Sequence, residues 1–414
     1  MLTKNIIYCH KCNLSNQQPT SINEYFHTAK SKQQNVKFNK KNICAACEYN
    51  EKKFNYINWN EREKELIEIV KKNKKKGSYD CIVSGSGGKD SIYASWILKY
   101  KYKMNPLTIT WAPHLYTDVG KENMDRWISN GGFDNYLFTP NPKVHRKITR
   151  EATINILHPF QPFILGQKHF VIKFALKMNI PLIFYGESPA EYGKNVGHKS
   201  KSFDDKYSKN QQGYSLDPLN GKDFRDCYLG GKQVGDYLNE GFKLEDFTAY
   251  QPVSQDEIDE KKLKKYYLGY FLKWIPQNNY YFSVEKTNFI PANFRLDGTF
   301  QKYASLDDKL DGFFFYTRFI KFGVGRAMMD SAQEIRNGFL TKEEGLRLIN
   351  KYDGEYPKTY EKEFLDYISM SRGEFHKLCD KFRKKEIWHK KNGKWKLNIS
   401  CQEYFTNHVK KNNS

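Results

Sequence analysis

From residue 81 onward the apolar positions switch repeatedly between two periods. Cys81–Ser84 is a short apolar run of strand length, and residues 91–100 then carry apolar side chains at helical spacing. The same change recurs downstream. Residues 106–112 read as a second strand, 121–130 as a helix closed by Gly131-Gly132, and 135–139 as a third strand. Helices are predicted over 142–155 and 163–178, and a fourth strand over 180–187. The aromatic, β-prone stretch 264–274 adds a further strand. Strands alternating with helices in this way predict an α/β fold built on a doubly wound parallel sheet.

Upstream, residues 60–70 read as a helix with Asn60 as its cap, acidic residues in the first turn and a Leu-Ile-Ile-Val face. Lysines 71, 72, 74, 75 and 76 favour its C-terminal dipole, and Gly77 ends it. Residues 17–41 are polar, contain Pro19 and lack a period, so they read as an insertion. Residues 188–245 are rich in Gly, Asn, Lys and Asp with few apolar runs, the pattern of a lid or substrate loop. Gly193, Gly197, Gly230 and Gly231 are its candidate flex points, and Cys227 a lone thiol.

Between the first strand and its helix lies Ser86-Gly87-Gly88-Lys89-Asp90-Ser91. Two glycines let the backbone turn tightly and approach a ligand, while amides at a helix N-terminus point at an anion. A Walker A loop would need Gly-x-x-x-x-Gly-Lys followed by Ser or Thr. Here Asp90 follows Lys89, and only two residues separate Gly85 from Gly88. A Rossmann turn counted from Gly85 and Gly87 would need glycine at position 90. The stretch instead resembles, at every position of Ser-Gly-Gly-x-Asp-Ser, the signature of the PP-loop ATP pyrophosphatases. That resemblance implies ATP cleaved between its α and β phosphates, with AMP placed on a substrate oxygen.

Ligands on such sheets bind outside the carboxyl ends of the strands. The rule gathers Ser84, Ser86, Gly87, Gly88, Lys89, Asp90 and Ser91 with Thr110-Trp111, Thr139-Pro140 and Gly186-Glu187 in one crevice. Adenosine is expected against the end of the second strand, with Glu187 and Asp90 candidates for Mg2+ or substrate contact.

The 414 residues suggest two or three domains at about 150 residues each. No run reaches the roughly 18 apolar residues of a membrane span, and the polar start is unlike a signal peptide, so a cytoplasmic protein without a membrane partner is expected. The net charge of +21 invites a nucleic-acid reading. Much of the excess, however, lies in 71–76 and in scattered lysines of a chain also rich in Asn, Ile and Tyr, so a nucleic-acid partner is not expected. A small substrate bearing phosphate or carboxylate also gains from a positive field.

Cys9-x-x-Cys12 and Cys44-x-x-Cys47 are separated by 31 residues. Two such knuckles can supply four thiolates to one tetrahedral ion, which suits a closed, structural Zn2+ site, although the interval exceeds the roughly 15–20 residues of the common ribbon. An iron-sulfur cluster or free thiols are the alternatives. His10 reads as a bystander.

Toward the C-terminus come Arg295-Leu-Asp-Gly298, 303–312 with Asp307, Asp308, Lys309 and Asp311, and Lys321-Phe-Gly-Val-Gly-Arg326. Glu334-Ile-Arg-Asn-Gly338, Thr341-Lys-Glu-Glu-Gly345 and 351–357 follow. In this order, with the paired cysteines and the loop, the chain resembles the N-acetyl sugar amidotransferases over nearly its whole length. The resemblance implies a four-cysteine zinc-binding module (1–58), a PP-loop domain (59–275) and a mainly helical substrate or partner domain (276–414). It also implies transfer of AMP from ATP to the acetamido oxygen of an N-acetyl sugar acid of pseudaminic or legionaminic type. Ammonia then displaces AMP to leave an acetamidino sugar of bacterial surface polysaccharide or flagellin glycan.

Lys89 is expected on pyrophosphate, Arg326, Lys321 and Lys309 on phosphate or sugar carboxylate, and Asp307, Asp308 and Asp311 on metal or sugar hydroxyls. No Cys-His-Glu glutaminase set is evident, and the resemblance implies a separate glutaminase subunit, with or without a barrel-shaped, cyclase-like conduit protein. The alternatives are a tRNA-thiolating PP-loop enzyme, which generally needs exposed cysteines near the loop, and an inactive zinc and nucleotide sensor.

Overall fold

The computed structural model describes residues 6–19, 21–75, 77–193 and 223–412. Its centre is a five-stranded sheet: β1 (Cys81–Ser84), β2 (Pro106–Trp111), β3 (Asn135–Phe138), β4 (Leu182–Tyr185) and an edge strand Lys264–Tyr267. The order is β3-β2-β1-β4 and then the edge strand, and every pairing is parallel. Because helices cover both faces, β1, β2 and β4 are buried along their whole length. At the far edge, β3 leaves Tyr136 and Leu137 exposed. The chain moves outward from β1 through β2 to β3 and then returns to the other side of β1 as β4. The crevice of a doubly wound sheet opens at that reversal, between the carboxyl ends of β1 and β4.

Several boundaries depart from expectation. The first long helix is Trp59–Asn73, and Asn58, not Asn60, caps it by accepting from the Glu61 amide. It ends before Gly77 because Lys74 is already extended. Only Lys264–Tyr267 of 264–274 is strand. Its partner β4 runs out at Tyr185, and Leu268–Phe271 turns helical.

The stretch 223–245 is built, not loose. Gly230 and Gly231, with φ of 62° and 72°, close a two-residue turn between Tyr228–Leu229 and Lys232–Gln233, as such hairpins require. A Cβ on Gly230 would stand 2.7 Å from the Ile148 carbonyl oxygen, so this turn is docked on a helix and does not flex freely. Cys227 and Leu229 are buried beneath it with Tyr237 and Phe247. Gly197 and the remainder of 194–222 lie outside the described residues.

The insertion 17–41 is partly interior. Gln17 and Gln18 are buried, Ser21–Phe26 is helical, and Glu24 lies 3.5 Å from Arg318 in the protein interior.

The C-terminal region is mainly helical, with a hairpin of Trp388–Lys391 and Lys394–Leu397. It shares a core with the cysteine knuckles: Val324, Met328, Ala332, Cys401 and Tyr404 pack with Tyr8, Leu14 and the four cysteines. Among the described residues no helix is long and apolar enough to cross a membrane.

One buried ion pair ties three parts of the chain. Lys53, on the helix that carries Cys47 of the second knuckle, lies 2.8 Å from Glu191 just beyond β4, and donates to Asn337 Oδ1 (2.8 Å) and the Trp274 carbonyl (3.3 Å). Burial pushes each member of the pair toward neutrality, Lys53 downward and Glu191 upward. Removing one partner leaves a buried charge without compensation. Lys53→Met is therefore expected to lose roughly 3–5 kcal/mol of stability, read as a lowered midpoint in urea unfolding, and adding Glu191→Gln should recover part of it.

Candidate active site

The loop after β1 depends on backbone that no side chain could share. A Cβ on Gly85 would stand 2.1 Å from Ser91 Cβ, and one on Gly87 would stand 2.6 Å from Met124 Cα. Gly87 also has φ of +83°. Gly88 then starts helix Lys89–Trp96, whose first amides face the turn. Ser91 Oγ donates to the Gly88 carbonyl (2.8 Å) and holds the turn closed. This geometry suits an anion at a helix N-terminus.

The loop opens on a cavity of about 270 Å³ that receives Ser84, Ser86, Gly87, Gly88, Lys89, Asp90, Ser91, Gly186 and Glu187, as the sequence places them. Lys89 Nζ is 2.7 Å from Asp90 Oδ2, while Asp90 Oδ1 accepts from Trp274 Nε1 (2.9 Å) and Asn279 Nδ2 (3.1 Å). The carboxylate is thus fixed by three donors and in turn holds the lysine at the mouth of the loop. Gly186 lies flat on the loop, since a Cβ there would meet the Asp90 carbonyl at 2.3 Å. Glu187 accepts from the Tyr192 hydroxyl (2.8 Å).

The opposite wall is the segment 303–307. Gly120 admits it, because a Cβ at 120 would fall 2.3 Å from Asp307 Cα, and the Thr117 amide donates to the Asp307 carbonyl (3.2 Å). Burial pushes the Asp307 carboxyl above the usual range, against the opposing pull of a hydrogen bond from Ser86. Tyr303 donates to Glu334 (2.7 Å), and burial raises Glu334 as well.

Among the lining residues that escaped the sequence reading are Gln167 and Lys168, on helix Gln161–Lys177. Their signal is the Gln-Lys-His break in an otherwise apolar helical face. Lys168 Nζ sits 4.2 Å from the Tyr185 ring centroid, and burial brings its pKa down to about 8.

Other expected residues lie elsewhere. Thr110 and Trp111 are not among the residues that line this cavity. Thr110 accepts from Asn135 (3.2 Å), and Trp111 is enclosed by Phe138, Phe170 and Tyr250, with its ring against Gly166. The cause is topological: the crevice opens between β1 and β4, and helix Gln161–Lys177 covers the end of β2. Lys321 is also absent from the site. It is buried beside Glu24 and Arg318, donates to the Ile156 carbonyl (2.9 Å), and burial lowers it to about 7.

Asp308 accepts from the His114 amide and Nδ1 (both 2.7 Å) and from the Leu310 amide (2.9 Å), which makes it a brace for the segment. Arg326 supports the same segment from behind, donating to the Ala304 carbonyl and lying 3.6 Å from Asp330. Asp308, Lys309, Asp311 and Arg326 all face a second cavity of about 510 Å³, which shares Ser305 and Leu306 with the first.

The four cysteines of the knuckles meet. Cys9 and Cys47 sulfurs are 3.8 Å apart, Cys12 and Cys44 3.6 Å, and all four lie within 4.8 Å of one another and are buried. A single tetrahedral ion with metal–sulfur bonds of about 2.3 Å needs sulfurs roughly 3.8 Å apart, so the set fits one ion. The Cys44 amide donates to Cys9 Sγ (3.3 Å) and Arg336 to Cys12 Sγ (3.6 Å), both suited to thiolate charge. His10 turns instead toward Tyr404 and Phe405. Arg336 also donates to the Glu191 carbonyl (3.0 Å), so the thiol cluster is tied to the segment that carries Tyr192 and, through it, Glu187.

Two outcomes are expected. Lys168 is cationic below pH about 8 and neutral above, so attraction for phosphate is present at pH 7 and fades as pH rises past 8. ATP affinity measured across pH 6–9.5 should fall through that range in the native protein, and the step should vanish in Lys168→Met. Cys44→Ser should lower bound metal, measured by elemental analysis of purified protein, and lower the unfolding midpoint with it.

Residues 297–401 match the family model described as the C-terminal domain of WbpG-like LPS biosynthesis proteins. An uncharacterized protein of Methanocaldococcus jannaschii, MJ1599, is 40% identical over 88 residues, which are 20% of this chain and 29% of that one, so the chain spans less than a third of that relative's length. Among solved structures, the NH3-dependent NAD synthetase from Campylobacter jejuni is similar at 13% identity and TM-score 0.26, over 32% of this chain and 58% of that one. The U34-tRNA thiolase NcsA from Methanococcus maripaludis, with its 4Fe-4S cluster, is similar at 12% identity and TM-score 0.30, over 80% and 86%. At these TM-scores neither overlap bears on function. The WbpG-like match takes in 303–307, the segment that faces the glycine loop across the cavity.

Proposed function

We propose that this chain is an AMP-forming, ATP-dependent amidotransferase that converts the acetamido group of an N-acetyl sugar to an acetamidino group in the making of a bacterial surface polysaccharide. One observation carries the reading. A loop with the PP-loop pattern and a segment inside a WbpG-like LPS biosynthesis domain form opposite walls of one cavity.

An amide oxygen is a poor leaving group on a weakly electrophilic carbon. In the first step that oxygen bonds to the α-phosphorus of ATP, the bond to the bridging oxygen breaks, and pyrophosphate leaves. The amides after Gly87, together with Lys89 and Lys168, are placed to hold that charge. A magnesium ion travelling with the nucleotide would neutralise more of it, and Asp90, Glu187 and Asp307 are the carboxyl groups lining the cavity that could receive it. In the second step ammonia attacks the activated carbon, and AMP departs with the former amide oxygen. The raised carboxyl of Asp307 is suited to take the proton that ammonia sheds.

The four thiols would hold a zinc ion with no open position, a structural role. Free ammonia is scarce near neutral pH, so a separate glutaminase is the proposed source, with or without a conduit protein. The setting is cytoplasmic, where ATP is supplied. Sulfur insertion, the alternative chemistry, needs an accessible thiol, and all eight cysteines are buried.

The test supplies ATP, magnesium, ammonium and N-acetyl sugars whose acetamido oxygen carries oxygen-18. The expected products are AMP containing the label, pyrophosphate, and a sugar lighter by the difference between oxygen and NH. Glutamine in place of ammonium should give little product. ADP with orthophosphate, or label released to water, would overturn the reading.

A further inference from the structure

Helix Arg326–Arg336 lies between the thiol cluster and the cavity of the glycine loop, and its two faces are divided between them. Residues four apart share one face of a helix, while residues two apart point nearly opposite ways. Met328 and Ala332 pack among the four cysteines, and Arg336, next in that row, donates to Cys12 Sγ. Arg326, Asp330 and Glu334 form the opposite row. Arg326 donates to the Ala304 carbonyl, Thr299 donates to Asp330 (2.6 Å), and Tyr303 donates to Glu334 (2.7 Å). Tyr303 and Ala304 line the cavity, so a shift of this helix against the cysteines is also a shift of the cavity wall.

The end of the helix reaches the other walls. A second guanidinium nitrogen of Arg336 donates to the Glu191 carbonyl (3.0 Å), one residue before Tyr192, whose hydroxyl holds Glu187. Asn337 accepts from Lys53 (2.8 Å), and Lys53 donates to the carbonyl of Trp274, whose ring nitrogen holds Asp90. On the knuckle side, Asn50 donates to the Arg336 carbonyl (2.6 Å). A Cβ on Gly193 would stand 2.7 Å from the Ala46 amide nitrogen, so the segment after Glu187 lies directly on the backbone that follows Cys44.

Four thiolates on one divalent ion leave a net charge of about −2, which a guanidinium bonded to the sulfurs offsets. Without an ion, nothing holds four sulfurs within 4.8 Å of one another, and the fork of Arg336 loses one of its two anchors. The other anchor is the segment that positions Glu187.

We propose that an ion in the thiol cluster and a nucleotide at the glycine loop bind cooperatively, and that Arg336 is the positioning residue through which each favours the other. Naming the nucleotide as ATP rests on the reading above; the coupling does not require the amidotransferase step. Such coupling is reciprocal: the factor by which the ion tightens the nucleotide is the factor by which the nucleotide tightens the ion. A residue that merely props up the fold would lower stability without giving matched factors.

The full chain is loaded with Zn2+ or stripped with a chelator, and its fold in each state is checked by circular dichroism. Affinity for α,β-methylene ATP with Mg2+ is measured by calorimetry in both states, and zinc affinity by competition with a chromogenic chelator, with and without the analogue. Zinc should tighten the analogue roughly tenfold, and the analogue should tighten zinc by the same factor. Arg336→Met should bring both factors close to unity. Arg336→Lys keeps the charge but not the fork that reaches two acceptors, and should do nearly the same. If stripping unfolds the chain, the variants decide at saturating zinc: each should bind the analogue roughly tenfold more weakly than the native protein.

Equal analogue affinity in zinc-loaded and folded zinc-free protein would overturn the inference, as would native analogue affinity in both zinc-loaded variants. AMP-forming turnover of N-acetyl sugars alongside either result would leave the amidotransferase reading standing. Failure of the analogue to bind zinc-loaded native protein would instead sink the ATP reading.

Discussion

Backbone lying directly on backbone is the condition on which this site depends. Three positions permit it: Gly87 against Met124, Gly120 against Asp307, and Gly186 against Asp90. A Cβ at any of them would stand 2.3–2.6 Å from main-chain atoms, closer than real contacts allow. These three approaches bring the loop after β1, the helix after β2, the end of β4 and the C-terminal wall segment within reach of one ligand. Only Gly87 adds a left-handed backbone to the requirement. The other two are glycines for want of room.

Charge placement completes what packing begins. Asp90 receives three donors, one of them from Trp274, and the Trp274 carbonyl accepts in turn from Lys53. Lys53 belongs to the helix Ala45–Asn55 that carries Cys47, so the thiol cluster, the buried ion pair with Glu191 and the glycine loop after β1 form one connected set of polar contacts. The cluster thereby does more than close a small module: its helix is one of the supports of the carboxylate that positions Lys89.

The parts legible from residue order were those with local causes. The glycine loop, the two cysteine knuckles and the alternation of strand and helix each depend on neighbours a few positions away. What failed depended on which layer covers which strand end. Thr110 and Trp111 sit at the end of a correctly read strand, but helix Gln161–Lys177 closes over them. Lys321 was expected on phosphate or the sugar carboxylate, yet its helix turns it inward toward Glu24, which belongs to the segment read as an insertion. Lys168 went unnoticed for the converse reason: an apolar helix looks like core until one sees that a single turn of it faces the crevice. Asp307 and Asp308 are adjacent in sequence and opposite in duty, one at the cavity and one bracing the segment against His114.

The clasp between the two halves of the chain has a consequence for how the molecule is made. The Tyr8 hydroxyl donates to the Ile399 carbonyl, and the Cys401 thiol to the Asn13 carbonyl, across separations of 391 and 388 residues. The knuckles are translated first, but the apolar surroundings that bury their thiols include Val324, Met328 and Tyr404. Contacts of such long range form late and slowly. During synthesis the four thiols therefore lack that apolar cover until Tyr404 has been made, and any ion they take before then would be chosen by a nascent chain, not by a finished fold.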